Sequence, residues 1–413
     1  MSRIGIIGGG ASGMIAAIEA ARRGAAVTIL ERRERPGKKL LATGNGRCNL
    51  TNRDFCVSRD YRSHDPKRLP ALLEQFKVDD TIRFFREIGV LVTDKNGYLY
   101  PRSQQASTIL EALLEELRRL KVSVVCECSI TGIKHQNRFV VITSQGDFTF
   151  DRLILCCGSG AGTKPSEKLG GHELVTALGL KYYEQLPALV QLRCKEGFYK
   201  SLAGVRCMAR ITLNIFGRKG SESFQEYGEL QLTDYGISGI PVFQCSRYAS
   251  AALSEKRRVE ATINFLPEIP DSEWNEFCRT QYEHCQGRTA LMAACGLVHK
   301  KVGLVLLSRC NLKPDEIVGR ETKKRIFSLF EMMRELHTEI VGTNPVENAQ
   351  ICMGGISLSE LKDDLEVKKI PGLFICGEML DVDGRCGGYN LQWAWSSGHI
   401  AGSAAAGKKD GRT

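Results

Sequence analysis

The sequence predicts an α/β protein. Both chain ends contribute to one dinucleotide-binding site, and a small β-domain and a more helical region lie between them. Three observations predict this. Residues 3–31 read as strand, glycine turn, helix, strand, acid. Residues 372–405 read as a second strand–turn–helix, rich in glycine and other small residues. Between them, residues 188–232 switch to apolar alternation, the mark of a half-buried strand. Composition sets the bounds. A chain of 413 residues makes one large domain or two to three interlocked ones. With 43% hydrophobic and 25% charged residues it is neither disordered, collagen-like nor a coiled coil. Its 42 glycines exceed the usual share of about 7%, as tight turns and close backbone approach require.

The first element is an apolar strand, Arg3–Ile7. Gly8, Gly10 and Gly13 then form a G-x-G-x-x-G fingerprint, with Ala11 and Ser12 inside it and a helix over 14–23 behind it. Gly24 ends that helix, and Ala26–Leu30 is a second strand closed by Glu31. The setting gives each residue a task. Gly8 permits the tight turn, Gly10 lets a pyrophosphate approach the backbone, and Gly13 lets helix and strand pack closely. The helix N-terminus faces the phosphates, and Glu31 can accept hydrogen bonds from an adenosine ribose.

A long Gly/Asn loop follows at 35–52, with Lys38, Lys39 and Arg47 for anions and Asn45, Asn49, Thr51 and Asn52 for polar contacts. It reads as a loop that wraps a ligand. Residues 66–88 and 106–120 read as amphipathic helices, 122–126 as a strand, and 139–142 with 147–150 as a hairpin. The buried run 151–160 reads as a strand returning to the first sheet, its glycine turn near the ligand. It is not a second fingerprint, because Pro165 and a loop follow it. A more helical region begins near 232 and runs through 274–286, 290–302 and 324–329. The segment 372–378 is a strand ending in Gly377-Glu378. Asp381, Asp383 and the turn Gly387-Gly388-Tyr389-Asn390 follow it, and then a small-residue helix over 391–405. Such a helix end suits the N1–C2=O edge of a flavin, where negative charge grows on reduction. Fingerprints at both ends of the chain call for one long cofactor, and FAD is long enough.

At this point the motifs resemble a family. IIGGGASG (6–13), GNGRCNLTN (44–52), LPALV (186–190), GISG (236–239), GEMLDVDG (377–384) and GGYNLQ (387–392) lie in order along nearly the whole chain. They resemble the bacterial BaiN/RdsA family of NAD(P)/FAD-dependent oxidoreductases, which includes aminoacetone-oxidase-like proteins. The chain departs from the pattern at MGGI (353–356), where the family carries G-G-V, and Cys386 stands at a variable position.

The resemblance implies a Rossmann-like FAD-binding domain of the glutathione-reductase type over 1–187 and 343–413. It implies an inserted β-barrel-like domain over 188–235 and a mainly helical part over 236–342, whose last strand could rejoin the barrel. It implies FAD bound without a covalent link and NAD(P)H as a transient donor. It places Gly8, Gly10, Ala11, Ser12, Gly13, Glu31, Arg32, Lys39, Gly46, Arg47, Cys48 and Asn49 on the cofactor, with the Ile130 backbone at the adenine. Cys157, Gly158, Gly377, Glu378, Asp381, Gly387, Gly388, Tyr389, Asn390 and Leu391 complete the set.

Saturating a polarised C=C bond also needs a proton donor. Cys48 and Tyr389 are the candidates, although Cys48 reads more readily as a thiol packed against the cofactor. None of the seven His lies in a motif, and His399 reads as structural. Three functions compete. The first is C=C reduction in uridine of ribosomal RNA, an activity the family includes and with which the net charge of +10 agrees. Lys256-Arg257-Arg258, Lys300-Lys301 and Lys323-Lys324-Arg325 are its candidate basic patches, though each also reads as a solvated face. The second is small-molecule chemistry: steroid-like (bile-acid) C=C reduction or amine oxidation. The third is a flavin-bearing binding protein with little turnover. The 16 Cys show no C-x-x-C spacing, so no zinc site is expected. No secretory leader opens the chain and no apolar run has membrane length, so the expected setting is the cytoplasm, with reduced thiols.

Overall fold

The computed structural model describes residues 2–163, 174, 178–217 and 220–407, so Pro165 lies outside them. The chain divides into two compact units: Met1–Gln185 with Ile351–Thr413, and Leu186–Gln350.

The first unit is built on a parallel five-stranded sheet, in the order Leu373–Ile375, Arg152–Leu155, Arg3–Ile7, Ala26–Leu30, Ser123–Val125. Arg3–Ile7 is central, and Ile4 and Ile6 are fully buried. The 151–160 run does return to this sheet, beside the first strand. Ala11–Arg22 is the first helix, and Tyr389–Ala406 lies against it. Their approach explains the small residues of the late helix. A side chain at Gly398 would run into the Ser12 carbonyl, and one at Gly402 into that of Ala16. The hairpin Phe139–Thr143 with Gly146–Phe150 gains a third strand, Ile130–His135.

Two expected helices are split. The 66–88 pattern resolves into Leu69–Glu74 and Val78–Glu87. Lys77 is extended there, and its N–H donates to Asp80 Oδ2 at 2.9 Å, which starts a new helix. The 290–302 pattern resolves into Ala290–Cys295 and Lys300–Arg309, because His299 Nδ1 accepts the Lys301 N–H and caps the second helix.

The second unit holds a closed six-stranded barrel in the order Leu192–Cys194, Gly236–Gly239, Gly220–Leu232, Arg206–Gly217, Arg258–Asn264, Leu336–Thr343. The barrel therefore extends beyond 188–235 and takes three strands from 236–343. The physical reason is edge closure: the long hairpin needs partners on both sides, and a closed barrel leaves no unpaired edge. Inward alternation is complete at Ala209, Ile211, Leu213 and Ile215, and again at Val259, Ala261 and Ile263. The helix Ile240–Ser254 packs its Val242, Cys245 and Ala249 into this core.

Candidate cofactor-binding site

The site begins at the turn between the first strand and the first helix. Gly8 has φ +105°, a region that glycine enters without penalty. A side chain at Gly13 would collide with the Gly8 carbonyl, so that glycine seats the helix on the turn. Gly10 is different. It starts the helix at φ −77°, and no atom lies within 4 Å of where its side chain would be. The helix has no side-chain cap, so its first N–H groups, at Ala11 and Ser12, remain for an outside acceptor. Glu31 ties the turn to the second strand: Oε2 accepts the Gly9 N–H at 2.7 Å, and Oε1 accepts the Arg33 N–H at 2.8 Å. Arg32 adjoins it, half-buried. The Cys128 N–H bonds the Glu31 carbonyl at 2.9 Å, two residues before Ile130.

The wrapping loop has more local order than expected. Lys38–Leu41 is one helical turn, and Gly44, Asn45, Gly46 and Cys48 all take left-handed backbone. Gly46 and Arg47 are exposed. Cys48 is sealed from solvent, and burial pushes its thiol up to about 12.

The two chain ends meet here. Lys39 Nζ lies 2.7 Å from Glu378 Oε2, while Glu378 Oε1 accepts Ser159 Oγ–H at 2.6 Å and the Cys352 N–H at 3.2 Å. Gly377 donates its N–H to Ser397 Oγ and accepts Trp393 Nε1–H, and a side chain on it would meet Ser12. The Cys157 N–H points to Met379 Sδ, and Gly158 faces open space. Asn52 Nδ2 donates to the Gly387 carbonyl at 3.1 Å. Gly388, at φ +95°, lies so close to Asn49 and Thr51 that any side chain would strike them. Asn390 latches the preceding loop, accepting the Gly384 N–H and donating to the Gly384 and Arg385 carbonyls. Leu391 is half-buried behind it.

Tyr389 is nearly buried. Its hydroxyl donates to the Asp54 carbonyl at 2.7 Å, and burial pushes its pKa up to about 12. Asp381 is buried, and its Oδ2 accepts the His64 N–H at 2.7 Å, with His64 Nδ1 at 3.0 Å. Sequence reasoning missed His64. Its partner is 317 residues away, and nothing in the local run around it marks a site.

The residues fit a long dinucleotide on two structural grounds. The first helix and Tyr389–Ala406 both start at a glycine, and neither has a side-chain cap. Beside Gly388, Asn49 Oδ1 and Thr51 Oγ1 are buried without a hydrogen-bond partner among the described residues. Such orphans are costly unless a ligand pairs them, and the imide edge of a flavin offers both a donor and acceptors.

The model of the HI0933-like protein Rossmann domain matches residues 2–404. The chain belongs to this family. It is an oxidoreductase with the FAD-binding type of Rossmann fold. The chain is 40% identical over 410 residues to a 3-dehydro-bile acid delta(4,6)-reductase of Clostridium scindens, a match spanning 98% of this chain and 99% of that one. It is 27% identical over 407 residues to a ribosomal RNA dihydrouridine synthase of Haemophilus influenzae, spanning 95% and 96%. Among solved structures, a 3-ketosteroid delta1-dehydrogenase from Sterolibacterium denitrificans shares the fold. Its TM-score is 0.50 at 11% identity, covering 98% of this chain and all of the other. Among the described residues, no helix of this family member is long and apolar enough to cross a membrane.

Proposed function

We propose that this oxidoreductase binds FAD and saturates a C=C bond conjugated to a carbonyl in a small, steroid-like molecule, with NAD(P)H as the electron source. The observation that carries the reading is the end-to-end 40% identity with the bile-acid reductase. When bound, FAD supplies hydride chemistry, taking two electrons from a dihydronicotinamide and passing them to an electron-poor alkene carbon. The protein supplies binding and charge. The open backbone at Gly10 and the uncapped first turn receive the diphosphate. Glu31 would accept hydrogen bonds from the ribose of the adenosine half. The N-terminus of Tyr389–Ala406 stabilises charge at the pyrimidine edge. Asn49 and Thr51 would hold the flavin through their unpaired side-chain atoms.

Ribosomal RNA is the weaker substrate. Half of the side chains in the basic clusters that would serve it are engaged within the protein. Arg257 pairs with Glu222 and Glu255, Arg258 with Glu260 and Arg325 with Glu316, while Lys301 Nζ donates to the Ala203 carbonyl. Arginines already matched to carboxylates release few counterions on meeting a phosphate backbone.

The test begins with the visible spectrum of the purified protein. It continues with anaerobic titration by NADH and NADPH, then mixing with a 3-keto-4-ene steroid or with an rRNA fragment. The expected result is a yellow protein that NAD(P)H bleaches and the enone recolours, with a product two mass units heavier. Recolouring by RNA alone, or a protein that takes up no FAD, would overturn the reading.

A further inference from the structure

Reducing an alkene needs a proton as well as a hydride. We propose that the His64 imidazole delivers that proton from Nε2, with Asp381 as the residue that positions the ring. The proposal rests on the reading that a conjugated alkene is the substrate.

Three features of the geometry support it. First, one buried carboxylate oxygen, Asp381 Oδ2, holds the His64 backbone N–H at 2.7 Å and ring Nδ1 at 3.0 Å, and Ser63 Oγ lies 3.3 Å from it. Gripping backbone and ring together fixes the rotamer. It also sets the tautomer: the carboxylate only accepts, so Nδ1 carries a hydrogen and Nε2 is the outward atom. Second, the ring is stacked on Tyr183 at 3.7 Å and 9°, yet its side chain is 49% exposed, and Nε2 has no partner among the described residues. Third, the dyad is linked to the helix end assigned to the flavin through a neighbouring strand pair. Asp383–Gly384 pairs with Tyr61–Arg62, and the Tyr61 hydroxyl donates to the Tyr389 carbonyl at 2.7 Å. His64 follows Tyr61 by three residues, a reach of about 10 Å at most. The other candidates are occupied. The Cys48 thiol is sealed, and the Tyr389 hydroxyl already donates to Asp54.

The step balances as follows. The alkene π bond breaks. The carbon β to the carbonyl gains the hydride from dihydroflavin, which a dihydronicotinamide has reduced. The α carbon gains the proton from Nε2–H of the His64 imidazolium, which leaves the neutral ring with its hydrogen on Nδ1 facing Asp381, and Nε2 then regains a proton from solvent.

Two measurements test this. Nitrogen-15 NMR of the protein, without substrate and assigned with His64→Gln, should show the His64 Nδ1 protonated, and Asp381→Asn should release that preference. In stopped flow, His64→Gln should keep its flavin content and melting temperature but lose about 100-fold or more in reoxidation by the enone. Added imidazole should rescue His64→Ala in part. An unprotonated Nδ1 in the wild type, or wild-type reoxidation in His64→Gln, removes His64 from the role and leaves the functional reading intact. A wild-type protein whose reduced flavin no enone reoxidises overturns both.

Discussion

At the scale of single residues, the fingerprint glycines separate into those the fold needs and those a ligand needs. Gly13 presses on the Gly8 carbonyl, whereas Gly10 faces open space at an ordinary φ. Gly13→Ala should therefore lower the melting temperature and leave the protein colourless. Gly10→Ala should cost the fold less than about 1 kcal/mol, the usual penalty for alanine as a cap. It should nonetheless weaken FAD at least tenfold, about 1.4 kcal/mol, because a methyl group would occupy the pyrophosphate's path. Calorimetry of the apoprotein and fluorescence titration with FAD read the two effects separately. Equal FAD affinity in Gly10→Ala and wild type would refute the assignment. The glycines were legible in the sequence because a backbone conformation leaves a residue-type signature. His64 was not, since its role comes from a partner on the far side of the fold and its neighbours carry no pattern.

At the scale of elements, the first helix is fixed to Ala106–Arg119 by a charge network centred on the buried Glu116 carboxylate. Arg22 bonds Glu116 at 2.9 Å, and Arg119 bonds the same carboxylate. The Arg119 hydrogen bond, with Arg22 beside it, outweighs burial and holds the Glu116 carboxyl below its ordinary 4.5. Burial alone would raise Glu19, but His399 and Arg23 overcome it and depress that carboxyl as well. A carboxylate with a lowered folded pKa stabilises the fold above its unfolded pKa, and that contribution is lost as pH falls through the folded value. Glu116→Gln should thus cost about 1 to 3 kcal/mol at pH 7, and the gap to wild type should close as pH drops below 4.5. Melting temperatures from pH 7 to 3 follow it, and a gap that stays constant across that range would exclude the charged network. The amphipathic stripes of these helices were readable from spacing. The breaks within 66–88 and 290–302 were not, because they arise from the local bonds of Asp80 and His299.

At the scale of the whole molecule, the barrel shows what one-dimensional reading misses. Strands Arg258–Asn264 and Leu336–Thr343 sit among helices in the sequence but complete a sheet begun at Leu192. Alternation over seven or eight residues cannot name a partner 70 or more residues away. Once closed, the unit is self-sufficient. Its apolar cluster draws only on residues between Leu192 and Ile340. Its two ends lie side by side, where Leu192 pairs with Thr343, the Asn344 N–H reaches the Gln191 carbonyl at 3.0 Å, and the Gln350 N–H reaches the Leu189 carbonyl at 3.2 Å. Insertions with adjacent ends and a private core fold alone. The excised polypeptide 186–350 should therefore melt cooperatively, give dispersed NMR signals and take up no flavin. The truncated chain 1–350 should also be colourless for a different reason. It keeps the glycine turn but lacks Glu378, the partner of Lys39, and the Gly388 helix end beside Asn49 and Thr51. Yellow colour in that truncation would mean that one chain end holds FAD by itself, and the two-ended site would have to be abandoned.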